Sequence, residues 1–286
     1  MEDWPTGRIE RPAPGVRRLL APNPSPFTYT GTQSYIIGEG EVAVIDPGPA
    51  DPAHLDALLA ALEGERVAAI LCTHTHRDHS PASRPLAAAT GAPIIGCAPI
   101  AMGQDDGPRA DEAFDSDYRP DRILGDGETL GAGGWTLRAV ATPGHTSNHL
   151  CFALEGAGIL FTGDHVMGWS TTVVAPPDGD MAAYMASLDK LLARDDRTYF
   201  PAHGPAVEDP RGHVLRLIDH RRERERQILG RVRAGEGRIP GIVRAVYEGL
   251  DPRLTAAAGL SVLAHLTDLE RRGLVREEGA GWTVAA

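Results

Sequence analysis

Cysteine, lysine and long apolar runs are scarce in this 286-residue sequence, and each scarcity excludes a class of protein. The three cysteines, Cys72, Cys97 and Cys151, lie far apart, so they indicate neither a disulfide framework nor a C-x-x-C metal knuckle. Lys190 is the only lysine, which excludes mechanisms that need several. No apolar stretch approaches the roughly 20 residues that cross a bilayer, and residues 1–14 lack the pattern of a signal peptide. We therefore expect a globular, cytoplasmic protein with no membrane partner.

The charge balance is acidic, with a formal net charge of −11. This charge disfavours a protein whose whole surface binds nucleic acid, and the sequence contains no stripe of alternating aromatic and basic residues. The hydrophobic fraction of 42% over 286 residues is enough for one large core or about two domains.

Four short apolar segments end on, or just before, a side chain that can bind a metal. VAVID ends on Asp46, the segment 67–71 leads into His74, GILFTGD ends on Asp164, and TYFP leads into His203. Continuous apolar runs of this length are typical of buried strands. We therefore expect four strand ends to present candidate ligands.

Other patterns complete the predicted elements. FTYTGTQSYIIGEGEVAVID (27–46) predicts two strands with a turn at Gly38–Gly40. Leucines at 55, 58, 59 and 62 have helical spacing. Further predicted elements are helices over 81–89 and 181–192, strands over 93–96 and 198–200, and a surface loop over 103–121.

The most specific motif is HTHRDH, which places three imidazoles and a carboxylate within six residues. Residues two apart at a strand end project to the same side, so His74 and His76 can bind one ion. Asp78 and His79, after the chain bends, can face a second ion. Zinc accepts these nitrogen and oxygen donors, and a catalytic zinc keeps one position for water.

HTHRDH resembles the H-x-H-x-D-H signature of the metallo-β-lactamase fold superfamily. Asp46 before PGP, His145 in TPGHT, Asp164 in FTGD and His203 in PAHG follow in the expected order. The resemblance covers about 15–210 and implies an α+β fold, a four-layer αββα sandwich.

The same resemblance implies a dinuclear zinc site. The first zinc would take His74, His76 and His145, the second would take Asp78, His79 and His203, and Asp164 would bridge the two ions. The ions would share a hydroxide whose pKa falls toward about 7. Asp46 would support the metal loop from behind. We assign catalytic roles to Asp78 and to His149, which lies four residues after His145 and would be a second-layer partner or a proton donor.

The run HRRERERQIL (220–229), followed by HLTDLERRGLV (265–275), resembles the superfamily branch of β-lactamase-like protein 2, which carries a winged helix. A bridging helix is predicted over 211–233, helices near 241–247 and 262–269, and a two-stranded wing around Gly279–Gly281. We divide the chain into a catalytic domain (1–210) and a bridging helix with winged-helix domain (211–286). Acids interleave the arginines of the bridging helix at ion-pair spacing. This pattern favours packing on the catalytic domain or on a second subunit, as in a homodimer, over DNA binding.

The predicted reaction is hydrolysis of an ester, thioester, lactone or lactam in a small-molecule substrate. Cleavage of single-stranded RNA is the first alternative, ahead of a glyoxalase II-like enzyme and of a DNA-binding regulator whose metal domain senses a ligand. The remaining histidines with no partner motif are expected to be structural; they are His54, His213, His220 and His265.

Overall fold

The computed structural model describes residues 4–100 and 114–285, so most of the predicted 103–121 loop lies outside the described residues. The chain divides into two compact units. The first contains Met1–Thr142, Asn148–Ser170 and Asp195–Glu208, and the second contains Pro143–Ser147, Thr171–Arg194 and Asp209–Ala286. The domain boundary at residue 210 stays a prediction.

Two sheets form the first unit. One has seven strands in chain order, of which β4 to β7 are parallel neighbours, and the other has five strands with β11 parallel to β12. The seven-stranded sheet comprises β1 (Glu10–Ala13), β2 (Val16–Leu20), β3 (Gln33–Ile37), β4 (Glu41–Ile45), β5 (Arg66–Cys72), β6 (Ile94–Gly96) and β7 (Arg122–Ile123). The five-stranded sheet comprises β8 (Thr129–Ala132), β9 (Trp135–Ala141), β10 (Leu150–Leu154), β11 (Ile159–Gly163) and β12 (Thr198–Pro201).

Alternation along β3 shows how the first sheet buries both faces. Tyr35 and Ile37 join the core that the two sheets share, and the ring of Tyr35 lies 5.0 Å from that of Phe161 on β11. Ile36 points to the opposite face and packs in a second cluster, as the two-residue period of a strand requires. Helices α1 (Pro52–Ala61) and α2 (Ser83–Thr90) cover that face. The α+β class predicted from the sequence is confirmed.

The second unit is mainly helical. Its elements are α3 (Met181–Leu192), α4 (Pro210–Arg233), α5 (Ile239–Val246), a 3₁₀ turn (Pro252–Leu254), α6 (Thr255–Arg271), β13 (Val275–Glu278) and β14 (Gly281–Val284). Ile228 of α4, Ile242 of α5 and Leu266 of α6 share one core with Trp282 of the β-hairpin. The predicted helices and wing are therefore confirmed. No helix in the described part of the chain is long and apolar enough to cross a bilayer.

The predicted first strand of 27–46 was wrong at its start, because β3 begins only at Gln33. Two polar side chains bind the backbone of the preceding segment. Ser25 Oγ accepts hydrogen bonds from the amides of Phe27 and Thr28, and Asn23 Oδ1 accepts one from the amide of Thr32. Short polar side chains compete for the backbone in this way and favour turns over strands.

His265 of α6 is 1% exposed, and neither of its ring nitrogens has a hydrogen-bond partner among the described residues. Burial, followed by the positive charges of Arg221, His220, Arg272 and Arg224, lowers the pKa of His265 from 6.5 to about 3. Protonation is therefore easier in the unfolded chain. The contribution of neutral His265 to the free energy of unfolding is therefore complete above about pH 6.5 and is lost as the pH falls toward 3.

We expect His265 alone to make the protein about 2 kcal/mol less stable at pH 5 than at pH 8. In His265→Leu this contribution disappears, because leucine fills a similar volume without a titrating group. Urea unfolding of both proteins, followed by circular dichroism at the two pH values, measures the difference. Since all other groups titrate alike in the two proteins, equal pH dependence would contradict the prediction.

Candidate metal centre

The predicted ligands lie in two groups of side chains that can each hold a metal ion. In each group the candidate ligand atoms lie within 4.8 Å of one another. One group contains Asp78, His79 and His203, and the other contains His74, His76, His145 and Asp164. The structure therefore brings all seven predicted side chains into these two groups, with Asp164 beside His74, His76 and His145, and their roles as metal ligands stay a prediction.

Strand topology explains why distant segments meet here. Asp46 follows β4 and His74 lies two residues after β5, and these two strands are parallel neighbours. Asp164 follows β11 and His203 lies two residues after β12, which are again parallel neighbours. Because neighbouring parallel strands end at the same edge of a sheet, each sheet delivers its side chains to one edge.

Backbone and side-chain acceptors orient four of the five imidazoles through Nδ1. The His79 Nδ1–H donates to Asp46 Oδ2 (3.0 Å), and the His203 Nδ1–H donates to the Gly31 carbonyl (3.2 Å). His145 donates to the Val173 carbonyl (2.6 Å). Thr73 Oγ1 donates to Asp46 (2.8 Å) and so accepts from His74 Nδ1 (3.0 Å). In the neutral form of each ring, Nε2 then presents a lone pair, which is the form a metal binds.

Asp46 organises the back of the metal loop, as the resemblance implied. It is 2% exposed and accepts from the Thr73 amide, the Thr73 hydroxyl and His79 Nδ1 at 2.8, 2.8 and 3.0 Å. The backbone of Asp46 has φ 47°, in the left-handed region that side chains rarely adopt. The strained turn aims the carboxylate at the loop.

The environment of His79 Nε2 suits a cationic partner. This atom is buried and has no hydrogen-bond partner among the described residues. It lies 3.3 Å from Asp78 Oδ2 and 3.6 Å from Asp164 Oδ1. Burial alone would lower the pKa of His79, but the carboxylates of Asp78, Asp164 and Asp46 raise it well above its usual value.

The two carboxylates and His203 show the same preference for positive charge. Burial would raise the pKa values of Asp78 and Asp164, but His79 and His203 hold both well below the usual range. Although burial opposes it, Asp164 and Asp78 raise the pKa of His203 to about 10. His203 Nε2 lies 3.2 Å from a carboxylate oxygen of each. A site that attracts protons so strongly has the charge and donor atoms for divalent ions.

The oxygen Asp164 Oδ1 lies near both nitrogens of the Asp78 group, although Asp164 itself belongs to the other group. The Asp164 carboxylate therefore lies within reach of both ligand groups. His149 holds Asp164 from behind, since its Nε2 accepts from the Asp164 amide (3.2 Å) and its Nδ1 donates to Thr142 Oγ1 (2.9 Å). The ring of His149 is 1% exposed, so its contacts are those of a positioning residue.

Sequence reasoning missed most partners that orient the ligands. Thr32 donates to Asp78 Oδ2 (3.3 Å), and the carbonyls of Gly31 and Val173 accept from His203 and His145. Every residue has a carbonyl group, so no sequence signal could identify those two acceptors. Thr73 could have been found, because it directly precedes HTHRDH.

Comparisons with known proteins agree with this geometry. Residues 28–203 match the metallo-beta-lactamase superfamily, and residues 239–282 match the beta-lactamase associated winged helix domain. A beta-lactamase-like protein 2 homolog of Drosophila melanogaster is 33% identical over 275 residues, covering 94% of this chain and 92% of that protein. An atrochrysone carboxyl ACP thioesterase of Aspergillus fumigatus is 35% identical over 225 residues, covering 76% of this chain and 64% of that protein.

Solved structures share the fold. A beta-lactamase domain protein from Burkholderia ambifaria has a TM-score of 0.81 at 23% identity, covering 99% of this chain and 96% of that chain. The metallo-beta-lactamase family protein TTHA1429 from Thermus thermophilus has a TM-score of 0.75, also at 23% identity, covering 95% of this chain and 99% of that chain. From the sequence matches, the shared fold and the two ligand groups, we conclude that the chain belongs to the metallo-β-lactamase superfamily of hydrolases and carries a His/Asp metal-binding site and the associated winged helix.

Proposed function

We propose that this protein is a dinuclear zinc hydrolase of acyl substrates, with thioesters first among esters, lactones and lactams. The single observation that carries the reaction class is the pair of adjacent ligand groups, seven side chains in all, with Asp164 placed to serve both. Two ions held this way would supply a nucleophile from water near neutral pH and Lewis acidity for the developing oxyanion.

The chain's own residues fix the geometry for that chemistry. His74, His76 and His145 would hold one ion, Asp78, His79 and His203 the other, and Asp164 both. The catalytic role predicted for Asp78 is to complete the second group, and the role predicted for His149 becomes the positioning of Asp164 through its amide. Zinc fits the imidazole and carboxylate set, and iron is the alternative metal that the same donors accept.

We place thioesters first among the candidate substrates because two relatives are named thioesterases. The protein from Aspergillus fumigatus, 35% identical to this chain, is named an ACP thioesterase, and a relative of the same description from Aspergillus chevalieri is 34% identical over 244 residues. A cavity of about 340 Å³ lies beside the site, lined by residues that include Thr75, Ile100, Phe114 and Arg119. The Phe114 ring lies 4.7 Å from that of His76. A cavity of this size and mixed lining suits the acyl part of a small substrate.

Single-stranded RNA remains the second candidate, but the charges of α4 do not favour it. Arg226 pairs with Glu223 three residues earlier, and Arg272 pairs with Glu225. Arg224 donates to Gln227 and to the Val246 carbonyl. These arginines are engaged within the protein instead of forming a free basic surface for a phosphate backbone.

A substrate panel tests the proposal. Protein reconstituted with zinc is assayed on acyl N-acetylcysteamine thioesters of increasing acyl length, a p-nitrophenyl ester, a lactone, a cephalosporin and a single-stranded RNA oligonucleotide. We expect kcat/KM for the best thioester to exceed that of the other acyl substrates at least about 10-fold, with activity lost on chelation. Cleavage of the RNA without thioester turnover would establish the alternative instead.

We also propose a cytoplasmic location and a small-molecule substrate as partner. Cys72, Cys97 and Cys151 are all buried and form no disulfide bond, which suits a reducing compartment. Whether the chain forms a homodimer is decided by light scattering of the purified protein.

A further inference from the structure

The loop that carries His145 is held by other segments of the second unit. Ser187 Oγ of α3 donates to the Pro143 carbonyl (2.8 Å), and the Asp180 amide donates to the Gly144 carbonyl (2.9 Å). Gly144 has φ 139°, and a Cβ there would lie 2.3 Å from Tyr184 Cα. The loop therefore rests directly on α3, and only glycine permits this approach.

The imidazole of His145 depends on one further contact, its hydrogen bond to the Val173 carbonyl (2.6 Å). The preceding carbonyl, that of Thr172, accepts a hydrogen bond from the guanidinium of Arg221 on α4. Thr172 is 2% exposed. Two consecutive carbonyls thus accept hydrogen bonds, that of Thr172 from Arg221 and that of Val173 from His145.

Arg221 is unusual among the arginines of α4. Its side chain is 3% exposed, whereas Arg222 beside it is exposed. Its guanidinium lies 5.1 Å from the centre of the Tyr184 ring, and Nε has no hydrogen-bond partner among the described residues. Within the part of the chain that the structure describes, Arg221 forms no ion pair. Burying a charge without a carboxylate partner costs stability, so the contacts that Arg221 makes instead are the ones to examine for a role.

We propose that Arg221 is a positioning residue for the metal ligand His145, an inference that rests on the proposed function. By binding the Thr172 carbonyl, Arg221 fixes the segment whose next carbonyl sets the tautomer and direction of the His145 ring. Helix α4 carries Arg221 and, further along, Ile228 and Val232 of the core that it shares with α5, α6 and the wing. The winged helix therefore contributes to the metal centre by immobilising the helix that orients one ligand.

Two further carboxylates hold the same loop region, and one of them also binds the winged helix. Asp180 caps α3 by accepting from the Ala183 amide (2.9 Å), and it also binds Arg271 of α6. Asp178 accepts from the Ser147 amide (2.8 Å) and hydroxyl (2.6 Å). The chain after Val173 is therefore fixed at Asp178 and Asp180, and the carbonyl just before Val173 is held by Arg221.

Three variants test the proposal. Arg221→Met keeps the length and removes the donors, Arg221→Lys keeps a charged donor, and Arg222→Met is the matched surface control. Each protein is stripped of metal and titrated with zinc alone against a chromophoric chelator, and kcat and KM are measured separately. We expect Arg221→Met to bind one of two ions about 10- to 100-fold more weakly, with a lower kcat and little change in KM. Arg221→Lys should recover most of the affinity, and Arg222→Met should match the unmodified protein.

The outcomes separate the two proposals. Folded Arg221→Met that binds both ions with unchanged affinity would overturn the positioning role, as would an unmodified protein that binds no zinc. If Arg221→Met does not fold, Arg221→Gln decides, because its shorter amide does not reach the Thr172 carbonyl and undiminished zinc affinity would again overturn it. If Arg221→Met binds one ion more weakly but the unmodified protein hydrolyses no substrate in the panel, the positioning role is supported and the proposed function is rejected.

Discussion

Replacing Asp78 by alanine is expected to remove at least one metal ion and to lower kcat/KM at least about 1,000-fold, equivalent to about 4 kcal/mol of transition-state stabilisation. Asp78 is the only carboxylate in its ligand group, where Oδ2 lies 3.3 Å from His79 Nε2 and 3.2 Å from His203 Nε2. Without it, two buried imidazoles remain to hold an ion, and half of the negative charge supplied by Asp78 and Asp164 is gone. Metal analysis after desalting and steady-state kinetics measure the two effects.

The matched control for this experiment is Asp117→Ala. The Asp117 side chain is 76% exposed and pairs only loosely with Arg84, at 3.6 Å on the surface. Pairs of this kind contribute about 0–1 kcal/mol, so metal content and turnover should be unchanged. His145→Ala should repeat the loss at the other group. An Asp78→Ala protein with two bound ions and full activity would show that the ligand mapping is wrong.

The centre of the site could be predicted from the sequence because its ligands follow patterns that are local in the chain. Four apolar segments end at or near Asp46, His74, Asp164 and His203, and strands of this kind run parallel at the observed edges. HTHRDH indicates an ion, and the family resemblance that it carries then assigns the remaining ligands in TPGHT, FTGD and PAHG. The order of the motifs along the chain then fits one family of folds.

Contacts that orient the ligands could not be predicted, because they come from groups without a sequence signal. The carbonyl of Val173 belongs to a segment with no motif, yet it fixes the ring of His145. Arg221 looks like one of several arginines on a solvated helix, and only the structure shows that its side chain is 3% exposed. The interpretation of α4 as solvated holds for Arg226 and its pair with Glu223 but not for Arg221.

The division of the chain into two compact units could not be predicted from the sequence either. The second compact unit joins residues 143–147 and 171–194 to the C-terminal segment. Periodicity and composition change along the chain and cannot reveal that residues 143–147 and 171–194 belong to the same compact unit as the helices beyond residue 209. The proposed positioning role of Arg221 rests on this grouping, since His145, Thr172 and Arg221 all belong to the second unit.

Asp46→Asn is expected to weaken metal binding about 10- to 100-fold without touching any ligand atom. The Asp46 carboxylate accepts from the Thr73 amide, the Thr73 hydroxyl and His79 Nδ1. Asparagine has one carbonyl oxygen and an NH₂ group, so at least one of these donors would face another donor. If the oxygen stays with the Thr73 amide, His79 loses the acceptor that directs its Nε2 toward the ion. If it turns to His79, the Thr73 amide is buried without a partner.

Either arrangement should also lower the free energy of unfolding by about 1–3 kcal/mol, the usual cost of an unsatisfied buried donor. Urea unfolding of metal-stripped protein measures this decrease in the free energy of unfolding, and zinc titration against a chelator measures the loss of metal affinity. Asp51→Asn is the isosteric control, since Asp51 caps α1 by accepting from the His54 amide and asparagine caps helices equally well. Should Asp46→Asn bind both ions as tightly as Asp51→Asn does, the tautomer of His79 would not depend on Asp46, and the orientation of the metal loop would need another source.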